Sequence, residues 1–224
     1  MKIHGLLITA SIFITSLVDA QPFEGLITYK IQYEVVEPNR TDLEIYKNMI
    51  PNEMKLFLKG PSSMLQFLGG MTEGILGDIL YKTSDKVIYS IFPTTKTFTK
   101  TSIESLDHKS GKQLKAVKTD SIKSFSGIPC TKYVIKDTTE HTETALWCAK
   151  SINNPSSKIM GYFLESMTEI SVAGIEGLPM KIEFYGKEFN LIIQSIGKEK
   201  KVIPATFFTV PKTYKLSKAD PQLH

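Results

Sequence analysis

The sequence predicts a mainly β protein, built as an antiparallel sheet with two helical interruptions. Three observations predict this class. Apolar and polar residues alternate in many short segments, turn-forming residues fill the short gaps between them, and strand patterns rarely alternate with helical ones. Parallel βαβ units are therefore disfavoured.

Each predicted strand shows this period of two or a short apolar run. The first is the clearest, because Ile27, Tyr29 and Ile31 alternate with Thr28 and Lys30. Short gaps between successive strands are typical of a meander. Strands are predicted at 26–35, 42–49, 53–59, 79–83, 86–92, 97–103, 121–126, 131–137, 143–150, 178–185, 189–196 and 206–210.

Two segments break the period of two and predict helices. In 155–170, apolar residues recur at helical spacing, Asn154 suits the N-cap and Pro155 suits the first helical position. In 62–80, apolar residues also recur at helical spacing, although Gly69, Gly70, Gly74 and Gly77 weaken a helix there.

Segment 62–80 is the candidate functional segment, because it is apolar, glycine-rich and lightly charged. Three roles stay open for it: a mobile lid over a hydrophobic ligand, a part of the core, or a contact with a membrane or protein partner. The ligand-binding candidates in this lid are Met64, Phe67, Leu68, Met71, Ile75 and Leu76.

Residues 1–20 have the composition of a cleavable export signal. Lys2 and His4 precede an uncharged apolar run of about thirteen residues, and Ala20 follows Val18 at a small-residue cleavage site. The expected products are a signal peptide (1–20) and a single β-rich domain (21–224), secreted or periplasmic. The apolar run is shorter than the roughly 20 residues that span a bilayer, so we do not expect an integral membrane protein after cleavage.

Two cysteines permit one disulfide, because an exported protein meets an oxidising compartment. A hairpin centred on Thr139 places Cys130 opposite Cys148, at nearly the separation of a bridge. The sequence therefore predicts a Cys130–Cys148 disulfide, with two unpaired thiols as the alternative.

Composition and motifs exclude several classes of function. The net charge is +4, from 27 Lys and Arg against 23 Asp and Glu, which is too small to indicate a nucleic-acid partner. The sequence contains no motif of a metalloprotease, a nucleotide-binding loop or a serine hydrolase. We therefore expect no enzyme activity, no catalytic residues, no metal and no cofactor.

Several short motifs occur in an order that resembles a known family. They are FEGLITY (23–29), LKG (58–60), GIPCTKY (127–133), TALW (144–147), GLPM (177–180) and FFTVP (207–211) with Tyr214. In this order the sequence is similar to the domain of unknown function 4412 family of secreted Bacteroidota proteins, and more loosely to LolA-like lipoprotein-carrier folds. The apolar Met64–Leu80 segment departs from the family pattern, in which a shorter and more polar turn is expected.

The resemblance implies a curved antiparallel half-barrel, LolA-like, with helices packed on its concave face. It implies no reaction. Two functional hypotheses follow: a module that binds a lipid, lipoprotein or other hydrophobic ligand in the half-barrel, or an interaction or structural module that contacts an envelope protein and holds no small ligand.

Overall fold

The computed structural model describes residues 22–36, 45, 47–104, 112–152, 154–168 and 170–217. The strands of this part are β1 (Gly25–Val35), β2 (Glu53–Lys59), β3 (Ser62–Leu68), β4 (Asp78–Lys82), β5 (Val87–Phe92), β6 (Thr97–Ser102), β7 (Lys112–Lys115), β8 (Val117–Phe125), β9 (Ile128–Asp137), β10 (Thr142–Ala149), β11 (Ile170–Ala173), β12 (Leu178–Tyr185), β13 (Phe189–Lys200) and β14 (Lys215–Leu216). Helix α1 is Ile159–Thr168, and 3₁₀ turns occupy Pro155–Lys158 and Ala205–Phe208. The predicted signal peptide lies outside the described residues.

A twelve-stranded sheet dominates the described part of the chain. Its strand order is β14-β6-β5-β4-β3-β2-β1-β13-β12-β10-β9-β8, and β7 and β11 form a separate parallel pair. Every pairing in the large sheet is antiparallel except that of β14 with β6. The sheet is curved and does not close, so the predicted mainly β, half-barrel class is confirmed.

Helix α1 packs on one face of the sheet, and the helical turn predicted to start at Pro155 is present as the 3₁₀ turn Pro155–Lys158 that leads into α1. Asn154 has extended backbone, its side chain accepts a hydrogen bond from the Ser156 amide at 2.9 Å, and Pro155 occupies the first turn. The helix buries Ile159 and Met160 against the sheet. The cluster that the helix covers is the main core. It contains fully buried side chains from β1 and from the strands on both sides of it: Tyr29, Met54, Leu56, Leu58, Leu65, Leu178 and Met180.

A second apolar cluster covers the other face of β2–β6. The chain after β13 crosses this face, and Ile203 and Phe208 are buried there against Met64, Leu80 and Ile91. The strand predicted at 206–210 is wrong, because this stretch forms the turn Ala205–Phe208. The turn lets two adjacent rings, of Phe207 and Phe208, pack into one cluster, whereas a strand directs neighbouring side chains to opposite faces.

The helix predicted at 62–80 is also wrong. The segment is strand β3, a loop at 69–77 and strand β4. Both faces of β3 are covered, so Met64 and Leu65 are both buried and the period of two is hidden. The loop glycines cannot continue a helix: Gly70 has φ 74°, and a Cβ there would lie 2.4 Å from the Ile50 carbonyl oxygen.

The strand predicted at 42–49 fails where it can be compared. Residues 45 and 47–49 are helical, and the rest of the prediction lies outside the described residues.

The prediction of a Cys130–Cys148 disulfide is also wrong. The Asp137 carboxylate accepts hydrogen bonds from the Thr139 and Glu140 amides, which closes a four-residue connection in place of the predicted three-residue turn. Pairing therefore shifts by one residue, Cys148 lies opposite Thr131, and both thiols are free and buried. Burial raises the pKa of Cys130 to about 11 and the pKa of Cys148 to about 12.

Candidate functional site

The predicted lid residues do not form one surface. Met64 lies in the second cluster, on the face opposite the helix, whereas Phe67 lies on the helix-bearing face with its ring 5.4 Å from that of Phe163. Leu68 is half-buried at the end of β3. The structure thus divides the six candidates into three buried or half-buried residues of β3 and three exposed residues of the loop that follows it.

The exposed group lies on the apolar loop, residues 69–77. Met71 is 72% exposed, Ile75 63% and Leu76 47%. The loop itself has a defined backbone, because the Met71 and Thr72 amides donate to the Asn48 and Met49 carbonyls at 3.2 Å. The three apolar side chains therefore project from an ordered support.

The apolar loop belongs to one end of the large sheet, which we call the loop end. At this end β1, β3 and β12 finish, and β2, β4 and β13 begin. Of the eleven large apolar side chains that are well exposed among the described residues, six lie at this end: Val36, Ile45, Met71, Ile75, Leu76 and Tyr185. Scattered exposed apolar residues are ordinary, but a concentration at one end is typical of a contact surface.

A row of half-buried aromatic rings leads from the loop end onto the helix-bearing face. Tyr33 stacks on Phe189 with ring centroids 4.9 Å apart, and Phe184 lies 5.6 Å from Phe189. Tyr33 and Phe184 both pair with Leu191, so the three strands present these side chains on the same face as the core. These aromatic residues lie in predicted strands but are not among the predicted ligand-binding residues. Their position near strand ends, continuing a buried alternation, is the pattern that could have identified them.

Deeper on the same face, the interior is filled. The side chains of Tyr29, Met54 and Met160 have no accessible surface, and the Tyr29 hydroxyl donates to the Pro179 carbonyl at 2.9 Å. Such side chains touch neither solvent nor a void that could hold a water molecule. An apolar ligand can therefore not lie among these central residues, and the aromatic row at the loop end is the part of this face that is open.

Electrostatics does not suggest catalysis in the described residues. Among the described residues, the groups whose pKa values are most strongly shifted are buried: desolvation raises the pKa of Tyr29, Cys130 and Cys148. Within the described ranges, no three His, Cys, Asp or Glu side chains are grouped as metal ligands. In the same part of the chain, no helix is long and apolar enough to cross a bilayer.

These features define a mainly β protein with a half-open apolar face and an apolar rim at one end. The chain belongs to the family described as Domain of unknown function (DUF4412), whose model matches residues 40–214. The family resemblance in the sequence is thereby confirmed. A search among curated proteins found no match.

Solved structures with a similar fold include PNGF-II, which matches in two crystal forms. The TM-scores are 0.52 and 0.50 at 13% sequence identity, over 88% and 86% of this chain. Both matches span 31% of the PNGF-II chain, so this chain corresponds to less than a third of that protein. At this identity the likeness shows the fold alone.

Two further structures match at lower scores. An uncharacterized conserved protein from Thermus thermophilus matches with a TM-score of 0.49 and 7% identity, over 89% of this chain and 92% of the other. The lipoprotein LppX from Mycobacterium tuberculosis matches with a TM-score of 0.35 and 8% identity, over 83% of this chain and 92% of the other. Scores this low support no argument about ligands.

Proposed function

We propose that this protein binds a hydrophobic ligand, such as a lipid acyl chain, at the loop end of its half-open sheet. One observation carries the proposal: exposed apolar side chains of the apolar loop stand at the same end as the half-buried aromatic row. The loop supplies Met71, Ile75 and Leu76 as an adaptable wall, and the aromatic row supplies a surface on which a chain can lie. Of the six residues predicted for the lid, these three are the ones that we propose to contact the ligand.

The site needs no enclosed cavity. An acyl chain that lies along Tyr33 and Phe189 and is covered by the apolar loop exchanges water contact for apolar contact at both surfaces, which gives about 0.8 kcal/mol for each CH₂ group that becomes buried. The apolar loop connects β3 and β4 on one side of β1, and the aromatic row extends from β1 itself to β13 and β12 on the other side. We therefore expect binding to depend on both groups of residues.

Export is part of the proposal. Residues 1–20 would be removed and the mature domain would act in an extracytoplasmic space, where lipids and lipoproteins are available. The mass of the protein recovered from its native envelope tests this directly. A mature chain that begins at Gln21 supports export, and a chain that retains residues 1–20 contradicts cleavage.

Native mass spectrometry of the same material tests ligand binding. Mass in excess of the chain, identified as lipid, is the expected result. A clean mass, together with no binding of a fluorescent fatty acid by the purified protein, would contradict the proposal and favour the alternative of a protein partner at the loop end.

Variants then locate the site. The double substitution Met71→Ser and Ile75→Ser removes two exposed apolar side chains, each able to contribute on the order of 1 kcal/mol to binding when covered. We expect the affinity for the fluorescent fatty acid to fall at least fivefold. The matched control is Ile196→Ser, because Ile196 is 57% exposed but lies away from the loop end. Equal losses in both variants would refute the assignment.

A further inference from the structure

A cationic aromatic cluster surrounds Trp147 on β10, apart from the loop end. The Lys123 ammonium lies 5.2 Å and the Lys132 ammonium 5.8 Å from the centre of the Trp147 ring. The Phe125 ring is 5.7 Å from the Trp147 ring, and the Lys181 ammonium lies 5.9 Å from the centre of the Phe125 ring. Three lysines from three different strands, β8, β9 and β12, are thus gathered around one pair of rings.

Glu183 is the acidic member of this cluster, and its carboxylate is already engaged. One of its oxygens lies 2.7 Å from the Lys181 ammonium, and the other accepts a hydrogen bond from the Trp147 indole at 3.0 Å. Burial raises the pKa of Glu183, but the hydrogen bonds from Lys181 and Trp147 and the nearby lysine charges outweigh it and leave the pKa below its ordinary value. Glu183 is therefore ionised at neutral pH.

The charges of the cluster do not cancel. The cluster contains three ammonium groups and one carboxylate, and among the described residues neither Lys123 nor Lys132 has a carboxylate within ion-pair distance. The side chains of Lys181 and Glu183 are only 18% and 15% exposed, so their ion pair is held in place within the cluster. Lys123 is exposed and Lys132 half-buried, so both remain accessible to a ligand. The cluster presents two uncompensated positive charges.

We propose that Lys123 and Lys132, with Lys181 beside them, bind a phosphate group. A phosphate monoester carries a charge of about −1.5 to −2 at pH 7, which matches the excess of the cluster, whereas a carboxylate carries only −1. Lysine is a common phosphate ligand, and several ammonium groups can donate to separate phosphate oxygens. The ring faces hold the lysine side chains in place, which reduces the entropy lost on binding.

The phosphate can come from solution or from a lipid headgroup, and the proposal is independent of ligand binding at the loop end. Trp147 is the single tryptophan of the chain, so its fluorescence reports on this site alone. The first titration uses inorganic phosphate at constant ionic strength, with potassium chloride as the reference. The second uses vesicles of phosphatidylcholine with and without phosphatidic acid. Calorimetry repeats both titrations without relying on fluorescence.

We expect saturable binding of phosphate or of phosphatidate vesicles, and a loss of affinity of at least tenfold in the double variant Lys123→Gln and Lys132→Gln. The matched control is Lys198→Gln, because the Lys198 ammonium also lies over a ring, that of Phe23 at 5.9 Å, and this ring has no second lysine over it among the described residues. Its affinity should stay within twofold of the parent protein. If the double variant does not fold, Lys123→Gln alone decides, because that side chain is exposed.

Binding of inorganic phosphate assigns the site to a free phosphate compound, and binding only of phosphatidate vesicles assigns it to a lipid headgroup. Two results would overturn the proposal: no response to either probe beyond the chloride and phosphatidylcholine references, or the same affinity in the lysine variants as in the parent protein.

Discussion

Replacing Asn154 with Ala should strongly destabilise the protein, because its side chain belongs to a buried hydrogen-bond network that connects the start of the helical segment, β3 and the chain before β1. Its Oδ1 accepts from the Ser156 amide at 2.9 Å and from the Ser156 hydroxyl at 2.7 Å, and its Nδ2 donates to the Phe23 carbonyl at 3.0 Å. The Ser156 hydroxyl is also 3.0 Å from the Ser62 carbonyl, and Ser63 donates to the Ser156 carbonyl at 2.9 Å. The start of the helix is thereby tied to β3 and to the chain before β1.

The magnitude follows from burial. Asn154 is 2% exposed and Ser156 is fully buried, so water cannot readily replace the lost partner. Three hydrogen bonds at about 1 kcal/mol each, together with buried groups left unsatisfied, give an expected loss of about 3–4 kcal/mol in the free energy of unfolding. For a chain of this length, that corresponds to a fall in Tm of roughly 10 °C.

Urea unfolding followed by circular dichroism measures this loss. The matched control is Asn190→Ala, because the Asn190 amide donates to Glu34 at 3.3 Å in an exposed position, and its removal should change stability by less than about 0.5 kcal/mol. A loss below about 1 kcal/mol for Asn154→Ala, or equal losses for the two variants, would refute the argument that this buried network joins helix and sheet.

Three further predictions test other parts of the structure. Cys130 and Cys148 should resist a thiol reagent in the folded protein, because both are buried and their pKa values are raised, and both should react in denaturant without reductant; unreactive thiols in denaturant would indicate a bridge. The pKa of Glu183 is lowered in the folded state, so its ion pair with Lys181 stabilises the protein above about pH 4.3, and this stabilisation is lost as the pH falls through the folded-state pKa. Lys181→Met should therefore reduce the slope of the free energy of unfolding against pH in the acid range, measured by urea unfolding. An unchanged slope would contradict the pairing. Gly161→Ala should raise the free energy of unfolding by roughly 0.5–1 kcal/mol, since a Cβ there meets nothing within 4 Å in the helix; a decrease would contradict that geometry.

Local patterns in the sequence were sufficient to predict a strand where one face of that strand is buried and the other is not. The alternation of Ile27, Tyr29 and Ile31 predicted β1 because only one face of that stretch contacts the main core. The start of the 3₁₀ turn before α1 was predictable for a different reason. Asn154 and Pro155 act within one turn of the chain, so no distant contact has to be known.

The secondary structure of segment 62–80 could not be predicted in the same way, because β3 is covered on both faces. Leu65 packs in the main core, and Met64 packs in the second cluster with Phe208, which lies far away in the sequence. With both faces apolar, β3 gave no alternation, and the spacing of its apolar residues with those of the loop imitated a helix. A strand could have been distinguished from a helix here only with the knowledge that Ile203 and Phe208 cover the second face of β3.

The register of the cysteine hairpin shows how one side chain can decide a functional expectation. The residue numbers of Cys130 and Cys148 are symmetric about Thr139, but the Asp137 carboxylate accepts hydrogen bonds from the Thr139 and Glu140 amides, and the connection is one residue longer than predicted. A shift of one residue in an antiparallel pair changes every cross-strand partner. It separates the cysteines and brings Lys132 opposite Trp147, where Lys181 also pairs from the other side. The same turn that removes the predicted disulfide therefore assembles the lysine pair over the indole ring, and a change of hairpin length at 138–141 should abolish both the cluster and its anion binding.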